Sequence, residues 1–187
     1  MRLFIVLSLA CIAAPAAAQA PDPIARAAAQ KEAMAKLAAM DGQWRGTAWS
    51  MTREGKHELV QTERAGPFLG GAVKVVEGKG YEKDGSVAFN AIAIISFDPA
   101  TSRYSMQSNA QGYSGTFPFW ATDTGFAWEV PAGPGAKIRY TATLKEGTWR
   151  EVGERIAGEA PPVQIFEMNL KRLGDTSWPA DGAVPRE

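Results

Sequence analysis

"MDGQWRGTAW", residues 40–49, decides how this chain is read. Gly42 and Trp44 flank one polar residue where an alanine-rich run ends and an alternating run begins. Upstream, "PDPIARAAAQKEAMAKLAAM" (21–40) opens with Asp22 as an N-cap and Pro23 at the first helical position. Its alanines and Leu37 favour helix, and Asp41-Gly42 stops it. Ile24, Ala28, Met34, Leu37 and Ala38 make one thin apolar stripe, so this helix is expected either to lie across something larger or to be a partly frayed leader. Downstream of Gln43, short runs rich in Val, Ile, Tyr, Phe, Trp and Thr alternate with Gly, Asp, Asn and Pro.

Ten strands are predicted, at about 43–51, 57–66, 72–81, 86–97, 102–109, 114–121, 125–131, 136–144, 148–156 and 163–173. Asp84-Gly85, Asp98-Pro99 and Glu146-Gly147 supply turns. Connections this short cannot hold crossover helices, so neighbours should pair antiparallel. A meander of this length either exposes two edges or closes on itself, and closure removes the edges. The expected fold is therefore all-β, a ten-stranded antiparallel up-and-down barrel over 42–173. An N-terminal α-helix (21–41) precedes it and an extended tail (174–187), pinned at most by Trp178, follows.

Parity assigns the faces. Phe166, Met168, Leu170 and Arg172 share one side, as do Phe126, Trp128 and Val130, and Ile138, Tyr140, Ala142 and Leu144. The run "AIAIIS" (91–96) is apolar on both sides, so its outer face should be covered, with the N-terminal helix as the candidate.

Gly42-Gln43-Trp44, entering the first strand of a meander barrel after a short helix, resembles the Gly-x-Trp signature of the lipocalin and calycin group. That resemblance implies that Trp44 seals one barrel end and that a cation from the last strand, here Arg172, packs across its indole. Such a contact would contribute about 0.5–2 kcal/mol. More of the chain, roughly 41–173, resembles a bacterial family of exported proteins known only as a domain of unknown function. The matching stretches are "GQWRG", "QTERAGPFLGG", "VVEGKGY", "SFDPATSRY", "GTWREVGE" and "FEMNLKRL". The resemblance implies a lipocalin-like barrel and brings no reaction, cofactor or ligand with it. Nitrobindin-like haem barrels share the layout, but they need a histidine on the iron.

Residues 1–20, "MRLFIVLSLACIAAPAAAQA", have one cation, an apolar run and small residues ending Ala18-Gln19-Ala20, the layout of a cleaved signal peptide. Ser8 replaces the aliphatic residue that lipid attachment at Cys11 would want. The expectation is a periplasmic or secreted protein beginning at Pro21, with no transmembrane segment after cleavage. Without residues 1–20 the chain has no cysteine, so a hydrophobic core must hold it. Losing Arg2 from 20 cations leaves 19 against 20 anions. No basic stripe appears, which excludes a nucleic-acid partner on charge grounds. Oligomeric state is not set by these features.

His57, the single histidine, sits beside Lys56 at a hairpin tip and reads as a solvated residue rather than an axial ligand. Thiolate catalysis, most zinc sites and a Ser-His-Asp arrangement lack their parts, and no cofactor or metal is expected. "VEGKGYEKDG" lacks the strand–helix setting of a phosphate loop. Carboxylates within strands remain. Glu63, Glu77 and Glu151 share parity with apolar neighbours, and with Tyr104, Trp128, Tyr140 and Trp149 they form the candidate ligand-binding set. Trp120 is a further pocket candidate. Outward glutamates paired with Arg64, Arg150, Arg155 or Lys79 are the plain alternative. The expected function is interior binding or carriage of a small apolar or amphipathic molecule. Its alternatives are a filled barrel that meets a partner, and an enzyme using carboxylates and tyrosines.

Overall fold

The computed structural model describes residues 22–178. The expected signal segment and the end of the expected tail lie outside them. Helix α1 (Pro23–Ala35) starts as its sequence predicts: the Asp22 carboxylate accepts from the Ile24 N–H at 2.9 Å, and Pro23 opens the first turn. A 3-10 turn (Ala38–Met40) leads into β1 (Gly42–Thr52), β2 (Gly55–Phe68), β3 (Val73–Tyr81), β4 (Val87–Asp98) and β5 (Arg103–Ala110). Then come β6 (Tyr113–Thr122), β7 (Gly125–Pro131), β8 (Ala136–Lys145), β9 (Thr148–Ala157) and β10 (Val163–Gly174). Each strand pairs antiparallel with the next, and β1 closes on β10. The fold is the closed ten-stranded up-and-down barrel that turn spacing anticipates. The parities predicted for β7, β8 and β10 hold, with Phe126, Ala142, Met168 and Leu170 all buried inside.

The helix does something other than its stripe suggests. Ile24 is 81% exposed, and Ala28 and Ala38 are exposed too; the buried residues are Ala33, Met34, Leu37 and Met40. Met34, Leu37 and Met40 join the core cluster with Trp44, Ile95 and Trp149, so the segment plugs one barrel end. It does not cover the outer face of β4, where Ile92 and Ile94 are each 42% exposed. The physical reason is area: a barrel end is an open apolar ring with no strand to close it, whereas a two-sided apolar strand still shares its outer face with its neighbours. Three polar ties seat the plug. Arg26 meets Asp98 at 3.3 Å, Gln30 donates to the Phe97 carbonyl at 3.1 Å, and the Tyr104 hydroxyl donates to the Ala33 carbonyl at 2.7 Å.

Trp44 seals this end as the Gly-x-Trp resemblance implies, 3% exposed, with its indole N–H donating to the Met40 carbonyl at 2.9 Å. The implied cation across its face is not there. Arg172 stands opposite Trp44 in the β1–β10 register, but its guanidinium donates to the Asp41 carbonyl at 3.2–3.3 Å and pairs with Asp175. Among the described residues the cation–π contacts fall elsewhere, Lys56 on Trp49, Arg64 on Trp178 and Arg139 on Trp120. Gly42 explains the detour. At φ 135° its backbone suits glycine, and a Cβ there would lie 3.0 Å from two Arg172 guanidinium nitrogens. The glycine opens the path by which Arg172 reaches Asp41.

Candidate functional site

The open half of the barrel holds a cavity of about 470 Å³. Met40 and Phe126 form its floor; Leu59, Ala93, Met106 and Phe166 line its sides, and His57 stands at the mouth. Two aromatic assemblies divide the interior. Below the cavity a chain of rings runs from Trp44 to Trp149 (5.7 Å between centroids), on to Phe126 (5.6 Å) and Phe119 (5.2 Å), then to Tyr104 (6.1 Å). Higher up, Trp128 stacks on Tyr140 at 4.2 Å and 10°, because β7–β8 register sets the two residues directly opposite. Phe117 and Phe166 flank that stack.

Two carboxylates face this space. Glu151 is 6% exposed and is gripped by two indoles, accepting from Trp128 Nε1 at 2.9 Å and Trp149 Nε1 at 3.2 Å. Burial pushes its pKa up, against the pull of both indole hydrogen bonds. Glu63 accepts from Gln61 Nε2 at 2.8 Å, and what surface it keeps opens to the cavity. Burial raises its pKa to about 8; the Gln61 hydrogen bond opposes that rise, and the Glu151 and Glu77 charges add to it. The carboxylate fits because β2–β3 register sets Gly78 opposite. A Cβ there would lie 2.7 and 2.9 Å from the Glu63 oxygens. Tyr140 is pushed up to about 12 by burial and the nearby Glu151 charge. No lysine or arginine lines the cavity among the described residues.

Of the seven predicted ligand-binding residues, Glu63, Trp128, Tyr140, Trp149 and Glu151 come together around the cavity. Glu77 does not. It lies on the outer face of β3, paired with Arg64 and Lys79, each at 3.1 Å. Its apparent apolar companions Val73 and Val75 lie on that outer side too, so apolar neighbours alone could not fix the sense of the parity. Tyr104 points inward but sits in the sealed end, where its hydroxyl holds the helix and burial raises its pKa. Trp120 faces outward beneath Arg139. His57 occupies the predicted hairpin, yet it lies on the inward parity of β2 at the rim, where Nε2 meets Glu82 at 3.1 Å.

Sequence reasoning passed over Gln61, which positions Glu63, and Gly78, which makes room for it. A glycine at every second position of "EGKGY" was the available signal: in a strand, that spacing marks a face where something else approaches closely. Lys74 was passed over as well. It is 2% exposed and pairs with the Asp41 carboxylate beside the plug.

The arrangement can hold an apolar body against aromatic walls and meet one polar group with two acids. Glu63 and Glu151 do not form a hydrogen-bonded pair: Glu63 bonds to Gln61 and Glu151 to the indoles rather than to each other. No three His, Cys, Asp or Glu side chains among the described residues converge to hold a metal ion. Comparison with protein-family models and with curated proteins finds no match for this chain.

Proposed function

We propose that this chain is an exported, lipocalin-like barrel that binds and carries a small, largely apolar molecule in its interior, akin to the exported family its sequence resembles. One observation carries the reading: a barrel with a sealed end, an open mouth and a 470 Å³ cavity between them, within the 300–1,000 Å³ that ligand sites occupy. A filled barrel, as an interaction module would have, needs no such space. The lining is apolar and aromatic with a few fixed polar groups, the composition that gives a pocket both grip and orientation. Native mass spectrometry of protein recovered from the extracytoplasmic space tests this directly. A stoichiometric adduct, displaced by an apolar fluorescent probe that quenches tryptophan emission, is the expected result. Protein that carries no adduct and binds no probe at millimolar concentration would sink the reading. N-terminal sequencing tests export, with Pro21 the expected first residue.

A further inference from the structure

Resting on that reading, we propose that the carried molecule is an organic cation, an apolar body bearing one ammonium group that sits between Glu63 and Glu151. Three observations converge on it. Both acids reach the same cavity, and no lysine or arginine lines it to balance them. Glu63, which lines the cavity, uses one oxygen for Gln61, while its other oxygen has no hydrogen-bond partner among the described residues. Aromatic rings wall the same space, with the Trp128–Tyr140 stack beside Glu151 and Phe166 against Tyr140. Acids and ring faces together are the recognition chemistry of alkylammonium groups, which ring quadrupoles attract and carboxylates neutralise.

The acids have distinct parts to play. Glu151 is held in place by two N–H donors and has no freedom to turn, so it supplies a fixed field. Glu63 has a spare oxygen and a proton to lose: when the cation arrives, the Glu63 carboxyl releases H⁺ to solvent and its carboxylate pairs with the ammonium. The groups facing it are Gln61 on its own strand, Gly78 opposite, and Glu151 and Tyr140 across the cavity. Glu77 lies behind it, already paired with Arg64 and Lys79. Among the described residues lining the cavity the one basic side chain is His57, at the rim and engaged with Glu82, so the countercharge to an ionised Glu63 comes from the ligand.

Calorimetric titration of the mature chain at pH 7 with octyltrimethylammonium, octanol and octanoate separates the headgroups, since the tail is common to all three. The cation should bind at least tenfold tighter than the alcohol, and octanoate weakest. Its heat should depend on the buffer's ionisation enthalpy, reporting a released proton. Glu63→Gln keeps the side-chain volume and should remove the cation's advantage while leaving octanol unchanged. The wild-type ranking needs no variant, so a misfolded mutant does not spoil the test. Octanol or octanoate binding as tightly as the cation overturns this inference and leaves the cavity reading standing. If none of the three binds, both fall.

Discussion

At the sealed end, Lys74 is 2% exposed and lies against the Asp41 carboxylate, while Arg172 donates to the carbonyl of that same Asp41. In the cavity, Glu151 is 6% exposed and Glu63 half-buried, and among the described residues only amide and indole N–H groups donate to them. The two regions bury ionisable groups in one fold by opposite rules. A buried ion is costly unless it is paired, so the sealed end is built to completion. The cavity acids have no lysine or arginine beside them among the described residues, and burial raises the pKa of both instead. Ring packing draws the same line: the Trp44–Trp149–Phe126 contacts close the floor, whereas the Trp128–Tyr140 stack faces free volume.

If the sealed end is structural, removing its seal should give the largest loss. Trp44→Ala should lower stability by about 3–5 kcal/mol, as truncating a buried aromatic does, measured by urea unfolding. A loss below about 1 kcal/mol would mean that the plug holds without its indole. Next comes the ion pair. Asp41→Asn strands the Lys74 ammonium and should cost about 3 kcal/mol, and Lys74→Met added to it should recover most of that. No recovery would show that Lys74 does not depend on Asp41.

The cavity should show its character through pH. Glu63 keeps its proton to about pH 8 in the barrel but releases it near 4.5 when unfolded. Between those values the folded state binds the extra proton, so empty-barrel stability is greatest at the acid end and falls as pH rises. The loss should be on the order of 2–4 kcal/mol across that window, and Glu63→Gln should flatten the profile. A stability that instead rises from pH 5 to 8 in wild type and not in the variant would contradict an enclosed, unpaired acid. Trp128→Ala should preserve the cooperative unfolding transition and weaken an apolar probe about tenfold, or ~1.4 kcal/mol. Equal probe affinity would place the ligand away from the Trp128–Tyr140 wall. The smallest effect belongs outside the barrel, where Ile94→Thr should change stability by no more than about 0.5 kcal/mol. A greater loss would mean that something does cover β4.

What could be read in advance was everything that depends on local period. Alternation and turn residues located all ten strands, and short connections forced them to pair in sequence order. Glu151 was legible as an inward acid because Trp149, on the same parity, is too large to leave exposed on a strand. Glu77 was not legible, since its neighbour Val75 is buried although it lies on the outer side of β3, while the inner side belongs to Lys74, Val76, Gly78 and Gly80. Here an inner face carries glycines and a lysine because neighbouring strands fill the room, which a single strand's pattern cannot reveal.

The sequence by itself determined an all-β chain with a helix before it, a Gly-x-Trp seam and a small set of strand-borne acids and aromatics, because propensity and period are properties of neighbouring residues. Only the tertiary structure decided that the helix plugs an end, that Arg172 passes Trp44 to reach Asp41, and that Glu63 and Glu151 share a cavity without a cation. Those outcomes rest on contacts between residues far apart in the chain, such as Glu151 with Trp128, Glu63 with Gly78 and Lys74 with Asp41. Such contacts are set by register and closure, and closure is a property of the whole sheet.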